Sequence, residues 1–191
     1  MKSDQNVFEI IRSLRSDSAK TQKRGLHFIL ASVIVWIGIL IVHILPMSIL
    51  SKNLYTFICS ASLFALAYLI SKLIKVDFQN RDNPLTGLGI LFSMNQILYI
   101  LIAMWIYSSV PDKMLMVYTM IFGAHLLPYG WLYRSKTYYV LSAFIPIVAL
   151  LIGLNFSNVI LAMVMLFVEI IFCICLVAEN KSSTEHGGGG M

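Results

Sequence analysis

Six apolar runs, each about as long as a bilayer is thick, constrain the fold of this chain more than any other feature. The hydrocarbon core of a membrane is about 30 Å thick, and a helix needs about 20 residues to cross it. Backbone groups inside lipid must be hydrogen-bonded within the protein, which favours helices. The sequence therefore predicts an all-α, polytopic membrane protein of about six transmembrane helices. The runs are residues 25–45, 54–74, 87–107, 114–133, 138–154 and 158–178.

The composition supports lipid as the solvent of this chain. Of its 191 residues, 59% are hydrophobic and only 12% are charged, whereas soluble domains carry about 25% charged residues. The links between the runs are short, so consecutive helices must lie antiparallel beside each other. We therefore expect one compact bundle, with membrane lipids as its partners and no separate soluble domain.

The positive charges lie almost entirely on one side of this predicted bundle. With six spans, twelve of the fourteen Lys and Arg residues fall in the N-terminal segment, the second and fourth links and the C-terminal tail. Only Lys52 and Lys113 fall on the other side. The positive-inside rule then places both termini in the cytoplasm. Because no basic stretch is interleaved with base-stacking aromatic residues, we expect no nucleic-acid partner.

The segments outside the bundle are short. Before the first span, four apolar residues recur at helical spacing, which predicts an interfacial helix over residues 4–15, with an unstructured basic lead as the alternative. After the sixth span, a polar tail with four consecutive glycines is expected to be flexible. The predicted segments are a cytoplasmic basic segment over residues 1–24 with the apolar face Val7, Ile10, Ile11 and Leu14, a bundle over residues 25–178 and a cytoplasmic tail over residues 179–191.

Four polar side chains lie at similar depths inside the predicted membrane. Asn95 and Gln96 fall in the third run, His125 in the fourth and Glu169 in the sixth. At about 1.5 Å per residue, Asn95, His125 and Glu169 each lie roughly 12 to 14 Å from the cytoplasmic ends of their helices. An ionised carboxylate is costly at that depth. We therefore expect Glu169 to face the bundle interior and to stay protonated or to pair with another member of this polar layer.

The polar layer has two interpretations, which the sequence leaves open. A carboxyl group and an imidazole in a low dielectric exchange protons near neutral pH, so the layer fits a proton- or ion-handling site. Buried amides and a neutral acid also join helices through hydrogen bonds worth about 0.6 kcal/mol each. The layer therefore fits a purely structural role equally well.

Two prolines predict bends near these polar groups. Pro128 removes a backbone donor three residues after His125 and should kink the fourth span there. Pro146 interrupts the fifth and shortest run, which is the span expected to be bent or partly re-entrant. Helix breaks near polar groups occur in transport sites and also in ordinary membrane bundles. The candidate lining residues beside these bends are Tyr118, Tyr129 and Ser142.

Aromatic residues cluster where the fourth span ends and the fifth begins. Tyr and Trp are enriched at membrane interfaces, and Arg134 and Lys136 lie among these residues. The favoured interpretation is an interfacial aromatic belt. Its members are Tyr129, Trp131, Tyr133, Tyr138 and Tyr139.

The sequence predicts no metal site and no cofactor. Cys59, Cys173 and Cys175 lie inside predicted spans, and the last two face different directions on a helix. His27 and His43 have no second ligand at helical spacing, and we expect each to reach an interface. Hydrolase and phosphate-binding signatures such as HExxH, GxSxG and a glycine-rich phosphate loop are absent from the sequence. The sequence therefore favours a non-enzymatic role.

Two segments in the middle third of the chain, Pro84–Gln96 and residues 125–133, resemble a family of small multi-pass bacterial membrane proteins of unassigned activity. The resemblance implies a location in the bacterial inner (plasma) membrane. It supplies no catalytic or ligand-binding residues.

The leading functional hypothesis is a transporter or channel-like protein for a small solute or ion, including a proton-linked one, with Glu169 and His125 at its core. A six-helix bundle has a narrow interior, so a homo-oligomer, in the simplest case a homodimer, would help to form a path. The alternative is a non-catalytic membrane scaffold that binds a partner through its basic N-terminal helix and cytoplasmic loops, and the third hypothesis is a membrane-embedded enzyme. The discriminating observation is whether a hydrated cavity reaches Glu169 from the lipid or the cytoplasmic side, since a dry, fully packed layer would favour the scaffold.

Overall fold

A computed structural model describes residues 2–78 and 80–185 of the chain, and no strand occurs in these two ranges. The backbone there is almost entirely helical, as expected for a chain whose backbone groups must be satisfied within each segment. The α-helices are α1 (Lys2–Thr21), α2 (Leu26–Ile44), α3 (Ile49–Ala61), α4 (Leu63–Leu73), α5 (Leu85–Ser109), α6 (Met114–Ala124), α7 (Leu126–Tyr133), α8 (Lys136–Asn155) and α9 (Asn158–Glu185).

Six helical segments in the described part of the chain are long and apolar enough to cross a membrane. Four of them consist of α2, α5, α8 and α9, while the second span combines α3 with α4 and the fourth combines α6 with α7. The predicted all-α bundle with six long apolar helices is therefore confirmed.

The fifth span and the end of the sixth differ from the sequence-based expectation. α8 runs through Pro146 as one helix of 20 residues, so this span is a full-length helix and not a partly re-entrant segment. α9 continues as far as Glu185, so the first part of the predicted flexible tail, from Glu179 onward, is helical. Residues 186–191, which include the four glycines, lie outside the described residues.

α1 covers the segment for which an interfacial helix was expected and continues beyond it. Val7, Phe8 and Ile10 are each more than half exposed, whereas Ile11 and Leu14 are partly buried. The first turns of α1 therefore present an uncovered apolar surface, and the location of this surface at a membrane interface stays a prediction.

The centre of the bundle is formed by α2, α6, α8 and α9. α2 packs most extensively against α9, and α6 packs most extensively against α8. Large side chains that are fully buried between these helices include Trp36, Ile145, Met165 and Phe172. By contrast, Ala103 is the one buried residue of α5. This uneven packing places α5 beside the bundle and not within it.

His27 and His43 are buried, so the expectation that each reaches an interface is wrong. They are 1% and 2% exposed. The His27 ring lies against Phe28 and Phe78, with ring centroids 4.6 and 5.5 Å away, and His43 Nε2 lies 3.2 Å from the Thr56 hydroxyl. Neighbouring side chains enclose both rings, which the position of a residue along its helix does not reveal.

The close approach of α6 and α8 depends on Gly123. A Cβ atom at this position would lie 2.6 Å from Ile145 Cγ2 and from Pro146 Cδ. Neither neighbour has a flexible end that could move away. Small residues that let helix backbones approach closely are a common packing device in membrane bundles.

We therefore expect Gly123→Ala to destabilise the bundle, because the added methyl group overpacks a contact between two rigid groups, at a cost of about 1–3 kcal/mol. The measurement is the thermal unfolding midpoint of the purified protein in detergent. Gly87→Ala is the matched control, since a Cβ at Gly87 meets nothing within 4 Å and the change raises helix propensity. Equal midpoints for the two variants would contradict the assignment of Gly123 as a packing contact.

Candidate functional site

Three adjoining cavities lie along α5, on the side of this helix that faces α4, and together we call them the cleft. The central cavity encloses about 520 Å³, its open mouth included. One flanking cavity reaches Gln22 at the end of the bundle where α1 lies, and the other reaches Leu54 at the opposite end. Phe64 of α4 and Ser93 of α5 border all three cavities. The cleft is therefore continuous along the helix.

The cleft is about as long as a membrane is thick. Its lining positions on α5 extend from Leu85 to Tyr107, which at about 1.5 Å per residue corresponds to about 33 Å. The hydrocarbon core of a bilayer has a similar thickness, about 30 Å.

Hydrogen bonds of Tyr129 join α7 to α5 beside the central cavity. The Tyr129 hydroxyl is 2.6 Å from the Ser93 hydroxyl and donates to the Gly89 carbonyl at 3.1 Å. Both residues on α5 are small, which lets the tyrosine reach its backbone. In contrast, α5 and α4 do not pack closely against each other. The cleft is the gap between these two helices.

The walls of the cleft are apolar and aromatic, with few polar groups. None of the described lining residues of the three cavities is Lys, Arg, Asp or Glu. The aromatic residues around the central cavity are Phe28, Phe64, Phe122, Tyr129, Tyr133 and Tyr138, and its polar side chains apart from the tyrosines are Ser32, Ser93, Gln96 and His125.

Both interrupted spans break at the central cavity. Ser62 separates α3 from α4, and His125 separates α6 from α7; Leu63 and His125 line the cavity. The Ser62 hydroxyl donates to the Cys59 carbonyl at 2.6 Å. His125 Nδ1 lies 2.5 Å from the Phe122 carbonyl, and because a carbonyl only accepts, this nitrogen carries the proton. Side chains therefore satisfy carbonyl groups at each break, as backbone irregularity inside a membrane requires.

Glu169 of α9 is the one fully buried acidic side chain among the described residues. Its Oε2 is hydrogen-bonded to the hydroxyl of Ser32 on α2, and the same hydroxyl donates to the Ile29 carbonyl at 2.8 Å. A serine hydroxyl has only one proton. If that proton lies on the bond to Ile29, the proton between Ser32 and Glu169 must belong to the carboxyl group. The geometry is therefore compatible with a neutral Glu169 that donates to Ser32 while Ser32 donates to Ile29.

The carboxyl group of Glu169 lies one side chain behind the wall of the cleft. Ser32 borders the central cavity and Glu169 is bonded to it. The other carboxyl oxygen, Oε1, has no hydrogen-bond partner among the described residues. A buried carboxyl group is far less costly as a neutral acid than as a carboxylate without a compensating positive charge.

The structure brings together most of the residues for which a polar layer or a path was predicted. Gln96, His125 and Tyr129 line the central cavity, and Tyr118 lines the cavity at the far end. Asn95, however, is exposed on the outer surface of α5. It lies about 100° around the helix from Gln96, so the two amides face different surroundings.

Other details differ from the sequence-based expectation. The side-chain partner of Glu169 is Ser32, and not His125 or either amide of the predicted layer. The interruption of the fourth span, by contrast, lies at His125, close to which Pro128 was expected to kink the helix. Ser142 donates its hydroxyl to the Tyr139 carbonyl at 2.8 Å, and it is not among the described lining residues of these three cavities.

The predicted aromatic belt is wrong for Tyr133 and Tyr138, which are buried and line the central cavity. The Tyr133 hydroxyl donates to Gln22 Oε1 at 2.7 Å, and the Tyr138 hydroxyl donates to the Arg24 carbonyl at 2.9 Å. Both tyrosines therefore connect the central cavity to the segment that joins α1 to α2.

α1 is fixed across one end of the cleft by polar contacts with the rest of the bundle. Arg15 donates to the Trp131 carbonyl at 2.7 Å, and its guanidinium lies 4.3 Å from the centre of the indole ring. Asp17 accepts hydrogen bonds of 2.8 Å from the amides of Asn83 and Asn80, in the link between α4 and α5. These bonds, with Asn83 contributing most, lower the pKa of Asp17 below its ordinary value of 3.8.

No pattern in the sequence identifies Ser32, Ser93 and Ser62 as residues of the site. Each is one serine among many, and no spacing rule separates a serine that bonds a buried acid from one that bonds its own helix. The pair Ser60 and Ser62 was the available signal for the break in the second span, because closely spaced serines in a helix often mark a bend.

We expect Asp17→Ala to release α1, because Asn80 and Asn83 lose their shared acceptor. The measurement is hydrogen–deuterium exchange, which should be faster over α1 and over the link between α4 and α5. Glu9→Ala is the matched control, since Glu9 is an exposed acid on the same helix.

The lowered pKa of Asp17 also sets the pH range of this contact. Its stabilising effect is fully present above the ordinary pKa of 3.8 and is lost only as the pH falls through the lowered value. Exchange over α1, corrected for its intrinsic pH dependence, should therefore be the same at pH 7 and pH 5. Detachment of α1 within this range, or an equal effect of the Glu9 variant, would contradict the assignment.

A family model with the description "Family of unknown function (DUF7010)" matches residues 11–179. The match includes every helix from α2 to α8 and most of α9. No curated protein and no solved structure matches the chain. The predicted resemblance to a family without an assigned activity is thus confirmed, and it extends well beyond the middle third; the bacterial origin stays a prediction.

Proposed function

This chain belongs to the family of unknown function DUF7010, and we propose that it is a multi-pass membrane carrier that exchanges a small solute for the proton of Glu169. The observation that carries this proposal is the fully buried carboxyl group of Glu169, bonded to Ser32 at the wall of the cleft. Ionisable residues inside membrane spans are rare, and they mark substrate and proton pathways.

The cleft favours transport over a purely structural role for the polar layer. A carboxyl group that only joined two helices would need no adjoining cavity, and a glutamine would make the same bond. Instead, the cleft extends over about the thickness of the hydrocarbon core, about 30 Å. Two spans are also interrupted beside its central cavity. Discontinuous helices at mid-membrane sites are typical of secondary transporters.

The contacts of α1 weigh against the scaffold hypothesis. Two of its polar residues, Arg15 and Asp17, bind Trp131, Asn80 and Asn83 of the same chain. These contacts fix the basic N-terminal helix against α7 and the link between α4 and α5, at one end of the cleft.

The orientation of this carrier follows from the distribution of Lys and Arg. We place both termini in the cytoplasm, by the positive-inside rule, and the membrane is the bacterial inner membrane in this proposal. The end of the cleft bordered by Gln22 then faces the cytoplasm. The homo-oligomer stays a prediction.

The test uses purified protein in liposomes loaded with the pH-sensitive dye pyranine. A gradient of tetraphenylphosphonium, of an amino acid, of a monocarboxylate or of Na⁺ is imposed in turn, and the internal pH is followed. We expect at least one gradient to drive proton movement. Glu169→Gln should slow that movement by about tenfold or more, because the amide cannot release a proton.

Asn95→Ala is the matched control, since Asn95 is also a polar residue at similar depth but lies on the exposed face of α5. It should transport at the rate of the unaltered protein. Size-exclusion profiles and thermal midpoints show whether both variants are folded. If none of the four gradients moves protons, or if a folded Glu169→Gln protein moves them at the normal rate, the proposed function is wrong.

A further inference from the structure

The lining of the central cavity matches one chemical class of solute. Six aromatic side chains surround it, and no described lining residue of the cleft is a Lys or Arg that would pair with an anion. Aromatic faces attract cations, and the attraction grows when the cation is desolvated. The nearest ionisable acid is Glu169, behind Ser32. Upon loss of its proton this acid supplies the negative charge.

The helix ends at the cavity do not reverse this preference. The break at Ser62 presents the C-terminus of α3 beside the N-terminus of α4, and the break at His125 presents the C-terminus of α6 beside the N-terminus of α7. Helix N-termini favour anions and C-termini favour cations. Because each break contributes one end of each kind, their fields largely cancel at the cavity.

The position of the cleft also favours an apolar solute. The cleft lies where α4 and α5 do not pack closely, so it is open towards the surroundings of the bundle. A lipophilic solute that has partitioned into the bilayer reaches the site from that side.

We propose that the solute is a lipophilic, monovalent organic cation, which occupies the aromatic central cavity while Glu169 is deprotonated. This inference rests on the proposed function and names its substrate class. When the cation enters, the O–H bond of Glu169 breaks, the electron pair stays on the carboxylate, and the proton leaves through the cleft. When the proton returns, the cation leaves. One positive charge replaces another, so the charge of the site is the same in both states.

No other charged group competes with Glu169 for this role. The titratable groups that interact with it are Tyr118 of α6, Tyr138 of α8 and Cys173 on its own helix, which are phenol and thiol groups. From α2 it meets the Ser32 hydroxyl. At the end of α2 towards α1, the Arg24 guanidinium lies 3.5 Å from Glu179.

Glu179 is ten residues from Glu169 along α9, which is about 15 Å. Arg24 therefore pairs with an acid that is distant from Glu169. His125 lines the central cavity. Its Nδ1 donates to the Phe122 carbonyl, so Nε2 is an acceptor when the ring is neutral.

The test is isothermal titration calorimetry of the full-length protein with tetraphenylphosphonium. Tetraphenylborate is the matched probe, because it has the same shape and the opposite charge. Titrations in buffers of different ionisation enthalpy count the protons released. We expect the cation to bind more tightly as the pH rises and to release one proton, the borate not to bind, and Glu169→Gln to abolish proton release.

Aromatic substitutions test the site independently of Glu169. Phe28→Leu and Phe64→Leu, both in the cavity wall, should each weaken cation binding by about tenfold. Phe167→Leu is the matched control, because Phe167 is 65% exposed on α9, and it should bind normally.

The outcomes separate the two proposals. Equal binding of the borate, or cation binding without proton release, overturns the substrate class. Proton movement driven by another solute, without tetraphenylphosphonium binding, overturns the substrate class and leaves the carrier function supported. Cation binding with proton release but without proton movement in liposomes supports the site and overturns the carrier function.

Discussion

The hydrogen bond between Ser32 of α2 and Glu169 of α9 connects the two helices that pack most extensively with each other outside the α6–α8 pair. In lipid, helix association gains nothing from excluding water, so packing and a few interhelical hydrogen bonds must specify the arrangement. This bond is made by an acid that is tolerable in hydrocarbon only in its neutral form. The same contact thus joins the two central helices and, in the proposed function, holds the proton that is exchanged.

The position of α5 follows from that centre. α2, α6, α8 and α9 fill one another's surfaces, and α5 is left attached through Tyr129 at one end and through the link that Asn83 anchors to Asp17. α5 also packs against α6, but it does not pack closely against α4. The cleft is the gap between α4 and α5. The aromatic side chains that face it come from helices that are themselves well packed. The walls are therefore more rigid than the helix that closes them.

Hydropathy and length predicted the six helices because the length of an apolar run depends only on bilayer thickness. The predicted grouping of polar side chains corresponds in part to the structure, since Glu169, His125 and Gln96 lie around one region of the bundle. Rotation about each helix axis was not predictable: Asn95 and Gln96 are adjacent, yet only Gln96 faces the cleft. In a soluble helix the polar face would reveal the rotation, but lipid and protein interior are equally apolar. For the same reason Tyr133 and Tyr138 looked like interfacial residues although they are buried in the wall of the cavity.

The scarcity of polar residues inside the spans does not argue against a coupled carrier. In the proposed cycle, Glu169 alone suffices, because an empty deprotonated site carries an uncompensated negative charge in hydrocarbon, and a site holding both proton and cation carries an uncompensated positive one. Both states are costly by at least a few kcal/mol. The site is therefore restricted to one positive charge at a time. Because the site holds either the proton or the cation, the movement of one is coupled to the movement of the other. This coupling requires only a single buried carboxyl group, so no longer sequence motif is needed.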